Sequence, residues 1–151
     1  VAARRRSQED LVNVKVEELM VPQVITTQPH VTVGHVKGVM RNSNVHVLPV
    51  VGPDSEPVGI VSTSDLLDDL SDNTPVSRVM TDKVYTIPQY EEVSVAARVM
   101  RNHRIHHLVV THEQKVTGIL STFDLIKLIE GKRFVAKNAG TTSSRKSSKR
   151  Q

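Results

Sequence analysis

Cysteine is absent from the 151 residues, which excludes disulfides, thiolate catalysis and zinc–cysteine sites. Tryptophan is absent too, and aromatics reach only 3%, so a core has to be assembled from Val, Ile, Leu, Met and Ala. No apolar run approaches the ~20 residues of a membrane span. The stretch Val1-Ala2-Ala3-Arg4-Arg5-Arg6 has none of the apolar centre of a signal peptide. These absences are read as a cytoplasmic protein with no membrane span. Acids are missing locally: from Lys132 onward there are seven Lys or Arg and no Asp or Glu. With Arg4, Arg5 and Arg6 they account for ten positive charges, and removing those from the net +4 leaves about −6 for residues 7–131. The body is acidic and the ends are basic.

What is present is a duplication. Gly59-Ile60-Val61-Ser62-Thr63-Ser64-Asp65-Leu66 returns as Gly118-Ile119-Leu120-Ser121-Thr122-Phe123-Asp124-Leu125. Val39-Met40-Arg41-Asn42 returns unchanged as Val99-Met100-Arg101-Asn102, and His46 to Val50 matches His106 to Val110. The offset is 60 residues, falling to 59 after the turn at Gly52 to Pro57. Such self-similarity has to be recognised before any fold assignment.

Taken in order, residues 1–14 form an N-terminal arm, helical near Gln8 to Val14. Val16 to Met20 predicts one short helical turn, and Val24-Ile25-Thr26-Thr27 a strand closed by Pro29. From Thr32 the apolar period turns helical and ends at Asn42-Ser43-Asn44. Strands follow over Val45 to Val51 and Val58 to Ser62, then a helix over Thr63 to Leu70. The second copy predicts the same series and closes with a helix from Phe123 to Glu130, capped at Gly131. The boundaries that result are an arm at 1–14, repeats at 15–74 and 75–131, and a polar basic tail at 132–151 too poor in apolar residues to order itself. The fold class is mixed α/β (α+β), with two β-α-β-β-α repeats. One repeat alone exposes too much apolar surface, so the two are expected to pack face to face about a pseudo-two-fold axis.

Each copy of Gly-x-x-Ser-x-x-Asp sits where a strand runs into a helix. Gly permits a ligand or another backbone to approach closely. Ser62 or Thr63, and Ser121 or Thr122, can cap the helix, with Asp65 or Asp124 in its first turn. A capping box alone would explain this pattern; the same chemistry at the same place in two repeats points further. A helix N-terminus offers N–H groups to a phosphate, while a carboxylate accepts hydrogen bonds from ribose hydroxyls.

With those motifs in that order, the chain from Val14 to Gly131 resembles a tandem pair of CBS domains (cystathionine β-synthase domains, together a Bateman module). The resemblance implies a non-catalytic sensor. It would bind AMP, ADP, ATP or S-adenosylmethionine between the repeats, associate as a homodimer and modulate an effector protein in trans. It implies that Asp65 and Asp124 hold ribose hydroxyls and that Ser62 and Ser121 approach phosphate. Thr26 and Thr86, with Thr63 and Thr122, are further candidate contacts. His46 and His106 match phosphate-contacting His residues of the gamma subunits of AMP-activated protein kinase. The likeness departs one residue later, where those subunits often carry Arg and this chain has Val47 and His107.

Other readings are weaker. His103, His106, His107 and His112 suggest a metal site, but His106 and His107 alternate across a strand and no Cys or carboxylate completes a shell. Ser62, His46 and Asp65 lack the elbow of a hydrolase triad. The alternative function is a ligand-free interaction module, with nucleic acid or an acidic partner engaged only through the basic tail.

Overall fold

The computed structural model describes residues 13–130. The helical reading near Gln8, the Gly131 cap and the basic tail lie outside the described residues. The elements are α1 (Val16–Leu19), β1 (Val21–Pro22), α2 (Val33–Ser43), β2 (Val47–Val51), β3 (Pro57–Ser62), 3-10 turns at Thr63–Leu66 and Val76–Arg78, β4 (Thr86–Pro88), α3 (Val93–His103), β5 (His107–His112), β6 (Lys115–Ser121) and α4 (Thr122–Ile129). One sheet runs β1-β6-β5-β4, and β2 pairs with β3 in a second. The architecture is the expected mixed α and β arrangement of two repeats.

The two long helices follow from their apolar spacing. Thr32 caps α2 by accepting from the His35 N–H at 3.3 Å. Val33, Val36 and Met40 then fall on one face and are buried, as are Val93, Ala96 and Met100 of α3. Both helices end on a residue in the left-handed region, Asn44 with φ 52° and Arg104 with φ 53°. The chain then enters strands β2 and β5, whose central residues are buried on both faces. Such strands read as continuous apolar runs rather than as alternation.

The repeats exchange their opening segments. Val16 of α1 belongs to the core made by Ile87, Val93, Ala96, Met100, Leu108, Val110 and Leu120 of the second repeat. Val76 belongs to the core of Val33, Val36, Met40, Leu48, Val50, Val61 and Leu66 in the first. The exchange is fixed by matching backbone bonds: Val16 N–H donates to Glu91 O at 2.8 Å, and Val76 N–H to Val31 O at 2.7 Å. Val21 pairs with Ile119 and, equivalently, Thr81 with Ile60.

The two motif glycines lie at these crossings. A Cβ on Gly59 would stand 2.4 Å from Met80 Sδ, and one on Gly118 would stand 2.6 Å from Met20 Sδ and 2.7 Å from Val21 O. Close approach is therefore required, as expected of a glycine here. What approaches is the opening segment of the other repeat rather than a ligand.

Three local expectations fail. The helix expected over Thr63 to Leu70 is a single 3-10 turn, Thr63–Leu66. After Leu66, Leu67 is 82% exposed and Asp68 and Asp69 follow. These residues offer no apolar face, and they would set negative charge at the end of a helix that favours positive charge. The strand expected over Val24 to Thr27 is reduced to one parallel bridge, Thr27 to Val50. Gln23 takes φ 51° and turns the chain, which aims Val24 and Ile25 into a cleft instead. In the second repeat the corresponding strand starts late, at Thr86 rather than Val84.

Candidate functional site

The duplicated strand ends meet between the repeats and form two related clefts. The first, of about 460 Å³, takes Ser62, Ser64 and Asp65 from the first repeat and Lys83, Val84 and Tyr85 from the second. Its walls are completed by Val47, Ile60, Thr81, Ile105, His106 and His107. The second, of about 400 Å³, takes Ser121 and Asp124 from the second repeat and Gln23, Val24 and Ile25 from the first, with Val45, His46, Val47, His107 and Ile119 around them. Both volumes suit a small organic ligand. Val47 and His107, equivalent in the repeat, stand in the wall common to both clefts.

The carboxylates are held by the serines. Asp65 Oδ2 accepts from the Ser62 N–H at 2.8 Å and the Ser62 hydroxyl at 3.1 Å. The Ser62 and Ser64 hydroxyls lie 2.8 Å apart. Asp65 Oδ1 accepts from no protein group among the described residues, and it belongs to a half-buried side chain on the cleft. Asp124 Oδ2 accepts from the Ser121 N–H at 2.9 Å and the Ser121 hydroxyl at 3.0 Å, and the Asp124 N–H donates back to Ser121 Oγ at 3.2 Å. Its Oδ1 is engaged by Lys127 Nζ at 3.2 Å.

This bonding alters the expected division of labour. The N–H groups of Ser62 and Ser121 go to the carboxylates. Those of Thr63 and Thr122 go to the His46 and His106 carbonyls, each at 2.9 Å. Behind Asp65 there is one 3-10 turn rather than a helix, so little dipole gathers there. Charge for an anionic group in the first cleft must come from side chains. Lys83 is the lysine of that cleft, with Nζ 5.7 Å from the Tyr85 ring centroid. The Tyr85 ring also stacks against His103, centroids 4.3 Å apart. The ring supplies the aromatic part of the cleft wall.

Of the residues expected to contact ligand, the structure places Ser62, Asp65 and His106 in the first cleft and Ser121, Asp124 and His46 in the second. Thr63 lines a separate groove with Lys37, Arg41 and His46, and Thr122 another with Arg101, Arg104 and His106. Thr26 and Thr86 are exposed and line neither cleft. Lys83, Ser64, Thr81 and Ile105 were missed. A residue-by-residue comparison of the repeats carries the signal for Lys83, whose counterpart is Gln23.

Burial holds the His107 imidazole below its ordinary pKa, the charge of neighbouring His106 lowers it further, and Asp124 pulls it partly back. Among the described residues no cluster of three His, Asp or Glu is arranged to hold a metal ion. No helix among them is long and apolar enough to cross a membrane.

Two halves with one motif, exchanged openings and clefts at the motif ends agree with the comparison to known families. The CBS-domain family model matches residues 16–72 and 76–131. The chain belongs to the CBS-domain family. It is similar to the CBS domain of a CBS-domain-containing membrane protein from Sphaerobacter thermophilus, with 26% identity and a TM-score of 0.75 over 84% of this chain and 94% of that one. A CBS domain pair solved with 5′-methylthioadenosine and S-adenosyl-L-methionine is 24% identical, with a TM-score of 0.72 over 80% of this chain and 98% of that one; at that identity the likeness is one of fold. Among curated proteins, a homoserine O-acetyltransferase from Methanosphaerula palustris is 34% identical over 116 residues, which are 76% of this chain and 24% of that enzyme. The chain spans under half the length of the first such relatives, from 24% to 41%.

Proposed function

We propose that this CBS pair is a non-catalytic sensor that takes an adenosine-containing ligand (AMP, ADP, ATP or S-adenosylmethionine) between its repeats and passes occupancy to an effector protein in trans. The observation that carries the reading is Asp65: a carboxylate fixed through one oxygen by Ser62, with the other oxygen left for ribose hydroxyls. Around it the cleft has an aromatic and aliphatic wall for a base. Lys83 and His106 stand ready for a phosphate, or for the carboxylate of an amino-acid moiety. A related CBS pair holding two adenosine compounds supports the same ligand class.

Occupancy transmits because the cleft is built from both repeats. Asp65 and Tyr85 come from different halves, so a ligand bridging them favours one relative arrangement over another. Phe123, Ile126 and Ile129 leave an exposed apolar face on α4, which supports association with a second copy. Calorimetric titration of the chain with each of the four ligands tests the proposal. Saturable heat with at least one is the expected result, and no binding of any at millimolar concentration would refute it.

A further inference from the structure

The clefts are related by the repeat, yet their chemistry diverges at equivalent positions. Three residues after Asp65 stands Asp68; three after Asp124 stands Lys127. Ser64, before Asp65, has Phe123 as its counterpart. The charge reversal has a structural result. Lys127 reaches back along α4, and its Nζ lies 3.2 Å from Asp124 Oδ1. The same ammonium stands 5.8 Å from the Phe123 ring centroid, so a carboxylate and a ring face hold it from two sides.

Both Asp124 oxygens are thereby spent, one on the serine cap and one on the lysine, and Asp124 is only 4% exposed. A sugar diol that hydrogen-bonds to Asp124 has to displace the ammonium or share its oxygen. Asp65 makes no such demand. Its cap takes Oδ2 alone, and the acidic neighbour Asp68 has no charge with which to capture Oδ1. The lysine side chain itself is 54% exposed, so the ion pair adds little to fold stability. Its consequence is on ligand entry, because the oxygen it occupies is the one the capping geometry would otherwise leave over. The second cleft also has Gln23 for Lys83 and Ile25 for Tyr85, so a ligand admitted there is held more weakly than in the first but is not excluded by them.

We infer that the Lys127–Asp124 ion pair closes the second cleft to adenosine ligands, so that this chain takes a single ligand, in the Asp65 cleft. Lys127 is then the residue that sets occupancy. The inference rests on the ligand reading above, whose failure gives a separate result. Titration of the full chain by calorimetry, with AMP, ADP, ATP and S-adenosylmethionine in turn, reads the stoichiometry. The expected result is one site per chain for whichever ligand binds. In Lys127→Ala the Asp124 oxygen is released, and the stoichiometry rises to two. The double variant Phe123→Ser with Lys127→Asp, which copies Ser64 and Asp68, does the same. Two sites in the wild-type chain would overturn the inference while leaving the ligand reading intact. A folded Lys127→Ala protein that still binds one equivalent would overturn the role of the lysine. No binding of any ligand by the wild type would overturn both.

Discussion

A single hydrogen atom at each motif glycine lets the repeats interlock. At Gly59 the atom nearest an added methyl is a Met80 sulfur at the end of a flexible side chain, whereas at Gly118 the Val21 carbonyl is also within 2.7 Å. A methionine can move aside, but a strand-paired backbone cannot without breaking its pairing with β6. Gly118→Ala is therefore expected to destabilise by about 1–3 kcal/mol, as overpacking does, and Gly59→Ala by less. Chemical denaturation of the two variants checks the order; equal losses would contradict the backbone argument. His107 supplies a second residue-scale test. Its imidazole, held below 6.5 mainly by burial, prefers to stay neutral in the folded chain. The neutral form's contribution is complete above the unfolded value and is lost as pH falls through it towards the folded one. The titratable groups around it are His106, Asp124, Asp65, Lys83 and His46, which share its clefts. Replacement by the residue of the other repeat, His107→Val, removes that proton uptake. Melting temperature should fall between about pH 7.5 and about pH 5.5 more for the wild type than for this variant; parallel curves would show that His107 does not titrate as described.

At the scale of elements, the duplication made most of the fold legible. Helices α2 and α3 follow from a 3.6-residue apolar period that ends on a left-handed residue in each, and β2, β3, β5 and β6 from compact apolar runs around turns. The repeat also misled, because it invited the same helix after both motifs. Thr122 to Ile129 has apolar residues enough to fold against its neighbours, while Leu67-Asp68-Asp69 does not, and only one turn forms. Local composition overrode the likeness of the repeats. What could not be read was the exchange of opening segments, since it depends on non-local pairing, from Ile60 with Thr81 to Val21 with Ile119 at the far ends of the two repeats. That exchange gives a specific expectation. A fragment ending near Leu70 lacks Val76, Val79 and Met80, which complete its core, and its own Val16 has no second repeat to pack on. Such a fragment should show no cooperative thermal transition as a monomer; adding residues 71–80 should recover part of the structure. A monomeric, cooperatively melting fragment ending at Leu70 would count against interlocked cores.

Across the whole molecule the site is one of juxtaposition. The sequence displayed Ser62 and Asp65 together in one motif. It did not show that Tyr85 of one half lines the same cleft as Asp65 of the other, because that follows only from the exchange. Thr26 and Thr86, named beside the resemblance, are exposed and line neither cleft; Val24, Ile25, Val84 and Tyr85 line them instead. The account therefore rests on one carboxylate, Asp65, which lines a cleft made by both repeats and keeps Oδ1 free of protein partners among the described residues. The direct measurement is the affinity of Asp65→Asn for the ligand that the wild-type chain binds best, by calorimetry at matched pH and salt. Asn keeps the size and one acceptor but loses the charge that strengthens hydrogen bonds to hydroxyls. A loss of about 1.5–3 kcal/mol, roughly tenfold or more in affinity, is predicted, with the variant still folded. Affinity equal to that of the wild type would contradict the assignment of the ribose to Asp65 and with it the central claim.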